Sequence, residues 1–147
     1  MTPNHDAPKR IYLAGPMRGI PEFNFPRFNA VSTALRANGH EVFNPAERDT
    51  ERHGGVNIAS GNMDGDIEKA KATHGFSLRD ALNDDLHYIC KRATCLALLP
   101  GWEKSDGAQS EWRTAIALKS EGVEIVYLTE EVVKLMERAA EIMEAAE

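Results

Sequence analysis

The sequence predicts an α/β fold: a flavodoxin-like or Rossmann-like parallel sheet of about four to five strands, with helices on both faces. Three observations point there. Short apolar or β-branched runs alternate with longer amphipathic stretches four times along the chain, the pattern of repeated strand-helix units. Gly or Pro closes the first three runs, at Gly15-Pro16, Pro45 and Pro100-Gly101, as strand ends commonly require. The 147 residues, 42% hydrophobic and 27% charged, suit one globular domain with a sizeable core.

Residues 10–16 (RIYLAGP) read as the first strand and its closing turn. A Gly- and Pro-rich loop follows. Pro26 fits the first turn of a helix with Phe28, Val31 and Leu35 on one face, and Gly39 suits its C′ position. Residues 41–44 form a short second strand ended by Pro45. Residues 46–76 break the rhythm, with little apolar periodicity, and are expected to be an insertion or mobile flap. His53 and His74 within it read as solvent-exposed bystanders.

Ser77 is a plausible N-cap for the next helix. Leu78, Leu82, Leu86, Ile89 and Ala93 share a narrow arc there, Asp85 falls at the edge of that arc, and Asp84 falls towards solvent. Residues 96–99 (LALL) read as a buried strand leading to the loop PGWEKSDG. A helix over about 108–121 carries Trp112, Ala115 and Ile116 inward, and Gly122 ends it. Residues 124–128 (EIVYL) form the fourth strand. Thr129 can cap a last helix with a near-heptad stripe of Val132, Leu135, Met136, Ala139, Ile142 and Met143. Such a seam suits a subunit contact, so a homo-oligomer through helices including 130–146 is expected.

The charge of −6 argues against a protein that wraps a nucleic-acid polymer through its phosphates. No apolar run approaches the roughly 20 residues needed to span a bilayer, and residues 1–9 read as a flexible tail rather than a secretory signal. Cys90 and Cys95 read as buried free thiols of a reducing, cytoplasmic setting, and their spacing with His87 matches no zinc pattern. Neither a metal nor an organic cofactor is implied, and G-x-G-x-x-G, Walker and H-E-x-x-H motifs are absent.

In an open parallel sheet, ligands bind beyond the carboxyl ends of the strands, where strand order reverses. The loop after the first strand would bring Gly15, Met17, Arg18 and Gly19 to that edge. The loop after the third would bring Trp102, Ser105, Gly107 and, on its helix, Glu111; Asp85 comes within reach from the preceding helix. Paired carboxylates of this kind suit glycosidic cleavage, with one as nucleophile and one handling protons. Glu111 near a helix N-terminus would have its ionised form favoured by the dipole, although by periodicity alone a Glu in a first turn is ordinary helix chemistry.

The motifs YLAGPMRG, NFPRF, NDDLHYI and LPGWEKSDGAQSE, in that order over roughly residues 10–128, resemble the nucleoside 2-deoxyribosyltransferase superfamily. The likeness is greatest to a bacterial and phage branch of unsettled function. The resemblance implies that Glu111 attacks the anomeric carbon, that Asp85 assists departure of the base, and that Tyr12 sets the nucleophile. Arg18-Gly19 and Ser105 resemble the pattern of its 5′-monophosphate N-hydrolases, and Trp102 could stack on the base. The expected activity is N-glycosidic cleavage or base exchange on a 2′-deoxynucleoside or its 5′-monophosphate, with that small molecule as partner. The alternatives are a catalytically silent nucleotide-binding or sensor module, or a related ADP-ribose or nucleotide-sugar hydrolase.

Overall fold

The computed structural model describes residues 7–146. Its elements are β1 (Arg10–Ala14), α1 (Phe25–Ala37), β2 (Glu41–Phe43), α2 (Pro45–Arg52), α3 (Ile67–His74), α4 (Leu78–Lys91), β3 (Cys95–Leu98), α5 (Asp106–Ala117), β4 (Glu124–Tyr127) and α6 (Glu130–Ala145). The four strands form one parallel sheet in the order β2-β1-β3-β4. The fold is α/β of the flavodoxin-like or Rossmann-like kind. The chain builds outward from β1 in one direction and from β3 in the other, so strand order reverses between β1 and β3.

Side chains of a strand alternate between faces, and β1 and β3 use both. Ile11, Leu13, Ala97 and Leu99 join a core with Phe28 and Val31 of α1 and Val133 of α6. Tyr12, Ala14, Leu96 and Leu98 join a second core with Ile89 of α4 and Ala115 of α5. One layer of helices, α1 with α6, therefore covers one face, and α4 with α5 covers the other. Tyr12 is fixed on the α4/α5 side by this alternation alone.

Residues 46–76 are not the featureless stretch that the sequence led us to expect. Asn44 caps α2 by accepting from the Ala46 N–H, and Pro45 takes the first helical position. Asp66 caps α3 in the same way. Ile58, Ala59 and Ala70 are buried in the α1/α6-side core. The segment also docks on the loop after β1: the Gly19 N–H donates to Gly65 O at 2.9 Å, and the Glu22 N–H donates to Asn62 O at 2.7 Å. A Cβ on Gly65 would lie 2.4 Å from Ile20 O, so the two backbones approach too closely for any side chain there. Within that loop Glu22, Phe23 and Asn24 all take positive φ without being glycine, a costly conformation retained at sites that their surroundings over-determine.

Other expectations are corrected in register. Leu78 is 45% exposed, and the buried line of α4 is Ala81, Asp85 and Ile89. Asp85 is thus at the centre of the inward face rather than at its edge. Periodicity fixes angles between residues but not which way a helix turns. Asp84 is half-buried among arginines rather than free in solvent. Cys95 is buried but Cys90 is exposed. His53 is half-buried, its Nδ1 hydrogen-bonded to Asp49 O at 2.8 Å. On α6 the packed residues are Val133 and Ala140, with Met136 partly buried, one step round from the expected stripe. Of the flexible tail expected over 1–9, residues 1–6 lie outside the described residues, whereas the Lys9 N–H donates to His40 Nδ1 at 3.1 Å. Among the described residues no helix is long and apolar enough to cross a membrane.

Candidate active site

Three side chains from three elements meet beneath the carboxyl edge of the sheet, on the α4/α5 side of the β1/β3 reversal. Tyr12 on β1 donates its phenolic O–H to Glu111 Oε2 at 2.6 Å. Glu111 stands in the second turn of α5 and Asp85 midway along α4. The two acids are 6% and 8% exposed, and Asp85 neighbours both Tyr12 and Glu111. Asp85 Oδ1 is buried without a hydrogen-bond partner in the protein. A buried acceptor left unpaired is costly, which is how a group reserved for a ligand looks.

Burial is the main force on all three groups. It pushes Asp85 up to about 7, helped by the negative charge of Asp49 and opposed by the Tyr12 hydroxyl and by Arg52. Burial and then Asp85 hold Glu111 well above the usual carboxylate range, against the Tyr12 hydrogen bond. Tyr12 is raised as well, by burial and then by Glu111 and Asp85. The expectation that the helix dipole would ionise Glu111 is therefore corrected. Glu111 lies one turn past Asp106, where α5 begins, and the dipole fades beyond the first turn. Two buried acids this close favour a state that shares one proton. The hydroxyl of Tyr12, bonded to Glu111 Oε2 at 2.6 Å, opposes the rise at both acids.

The surrounding loops are built by close packing. The Leu99 N–H donates to Ala14 O at 2.8 Å, which sets the loops after β1 and β3 side by side. A Cβ on Gly15 would lie 2.8 Å from Leu99 Cβ, so glycine is needed where the strands end. Met17 packs partly against the core, while Arg18 and Gly19 are exposed and Gly19 has φ +83°. Ser105 is the N-cap of α5, accepting from the Ala108 N–H at 3.2 Å; its own hydroxyl proton remains free to donate. Gly107 follows in the first turn of α5. Trp102 packs against Trp112 and Tyr127, with ring centroids 5.3 and 5.9 Å away, so its ring anchors the loop.

A family model described as "Domain of unknown function (DUF4406)" matches residues 9–127. The chain belongs to that family. The matched span holds every residue of the candidate site and stops at the end of β4, before α6. No curated protein and no solved structure matches the chain.

The neighbourhood of the candidate site also contains groups that the sequence did not reveal. Asp49 is buried at 6% exposure, and Arg52 donates to it through Nη1 at 2.7 Å. Arg52 also reaches Asp84 Oδ2 through Nε at 3.0 Å. The signal that could have found their helix is Asn44-Pro45, an N-cap followed by a first-turn proline, which announces α2 as clearly as it ends β2. Among the described residues, no group of three or more His, Cys, Asp or Glu side chains is arranged to hold a metal ion.

Proposed function

We propose that this chain cleaves the N-glycosidic bond of a 2′-deoxynucleoside or its 5′-monophosphate, as a hydrolase or a base-exchanging transferase of the nucleoside 2-deoxyribosyltransferase type. The observation that carries the reading is the buried Tyr12–Glu111 hydrogen bond with Asp85 beside it. A Glu111 carboxylate oxygen attacks C1′ of the sugar. A carbon–oxygen bond forms as the carbon–nitrogen bond breaks, and the electron pair leaves with the base. Asp85, holding the shared proton, gives it to the departing base. Water, or a ring nitrogen of a second base, then attacks C1′, surrenders its proton to the Asp85 carboxylate and displaces Glu111 as the carboxylate. Ser105, with a free hydroxyl proton, and the exposed Arg18-Gly19 turn suit the oxygens of a 5′-phosphate.

The test is incubation with deoxynucleosides and deoxynucleotides, with and without an acceptor base, followed by chromatography for free base. Base released without acceptor identifies a hydrolase, and exchange identifies a transferase. Binding without turnover identifies the sensor reading instead. Glu111→Gln is expected to lose at least about 100-fold of the activity, the scale of removing a principal catalytic group. Full activity in that variant would sink the assignment.

A further inference from the structure

Of 23 acidic residues, those buried among the described residues are Asp49, Asp85 and Glu111, and Arg52 joins Asp49 to Asp84, the residue before Asp85. Burying a carboxylate is costly unless a partner compensates, so their clustering needs a reason beyond packing. The chemistry above uses Asp85 and Glu111 and leaves Asp49 over.

Asp49 lies in the second turn of α2. Arg52, three residues on, holds its Oδ1 at 2.7 Å and with its other nitrogens reaches Asp84 Oδ2 at 3.0 and 2.9 Å. Arg48 adds a contact of 3.2 Å to the same Asp84 oxygen. Asp84 directly precedes Asp85 on α4. The guanidinium of Arg52 therefore ties α2 to α4 and fixes Asp49 in a position from which its charge bears on both Asp85 and Glu111. Resting on the glycosidic reading of the site, we propose that Asp49 is a positioning residue of the reaction, held by Arg52 and acting through Asp85 on the proton given to the leaving base.

The groups that bear on Asp85 come from every element around it. They are Tyr12 from β1, Asp49 and Arg52 from α2, Asp84 from α4 itself, and Glu111 from α5. Tyr12 and Arg52 favour the carboxylate, while Asp49 and Asp84 oppose it, Asp49 more strongly. With Asp49 neutral, Asp85 gives up its proton at lower pH and is less often a proton donor at neutrality.

Wild type, Asp49→Asn and Asp49→Glu decide the matter. The carboxyl carbon shift of Asp85, followed by NMR through a pH titration, reads its midpoint without any turnover; the alkaline limb of kcat/KM reads it during turnover. In Asp49→Asn both are expected to move together to lower pH. There kcat at pH 8 falls about 10-fold, a fraction of what a proton donor supplies, with KM within about two-fold because binding contacts are untouched. Asp49→Glu restores both readings. If Asp49→Asn does not fold, Asp49→Ser, also neutral and smaller, is read in the same way. An unmoved Asp85 midpoint in a folded neutral variant overturns the role of Asp49. Absence of base release by the wild type from every deoxynucleoside and deoxynucleotide instead overturns the glycosidic reading beneath it, so the two failures are told apart.

Discussion

The Tyr12–Glu111 bond joins residues 99 positions apart, and Glu111 is buried with a second acid, Asp85, beside it. Asp85 shows the cost. Its carboxyl is raised from the usual range, near 4, to about 7. Between those values the folded chain keeps a proton that the unfolded chain releases, so stability falls as pH rises through the window. Asp85→Asn removes that penalty. Its melting temperature is expected to exceed the wild type's at pH 8 and to match it at pH 4; no difference between the two pH values would show that Asp85 is not held protonated. Glu111 and Asp85 were legible in the sequence because flanking motifs name them. Asp49 was not, because nothing local separates a buried aspartate on a polar helix from an exposed one. The eight residues of α2 include Glu47, Arg48, Asp49, Glu51 and Arg52, and only packing against α4 chooses which charge goes inside.

At the scale of elements, Ser105 carries two duties. It ends the loop after β3 and caps α5, the helix that delivers Glu111. Ser105→Ala is expected to cost about 1 kcal/mol, typical of a lost N-cap, and to lower the melting temperature by about 3 °C for a chain of this size. Ser105→Asp keeps the cap and should melt like the wild type, so thermal scans of both separate the cap from any part in binding. Ser77 and Thr129 cap α4 and α6 as their sequence positions suggest, and Gly39 and Gly122 take the positive φ that a chain leaving a helix needs. Those signals are local and survive any tertiary context. Helix rotation does not: α4 exposes Leu78 and buries Asp85, against the apolar arc, as its packing against α5 and α2 requires.

For the whole molecule, the sheet order places β1 beside β3 and so gathers Tyr12, Asp85 and Glu111 at the point of reversal. The same order leaves α6 packed on α1 by Val133 and Ala140 and tied there by Arg27, whose guanidinium reaches Glu130 at 2.7 Å and Glu137 at 3.1 Å. Val132, Ile142 and Leu135, the last 68% exposed, form an outward line on the free side. An oligomer built through α6 would cover that line, and Leu135→Glu would then reduce the particle mass measured by light scattering to that of one chain. A wild type that already runs as one chain, or a variant of unchanged mass, removes α6 from any such contact.

The sequence by itself determined the alternation of strands and helices, their caps and stops, and the two acids on which the proposed chemistry turns. All of these follow from short-range rules of periodicity, turn residues and motif. Only the tertiary structure decided that 46–76 docks on the loop after β1. Only it decided that Asp85 faces fully inward and that Asp49 joins it. Those outcomes depend on which surfaces find one another across the sheet. The raised protonation of the site depends on them too, since desolvation is a property of everything packed around a group and not of the residues beside it in the chain.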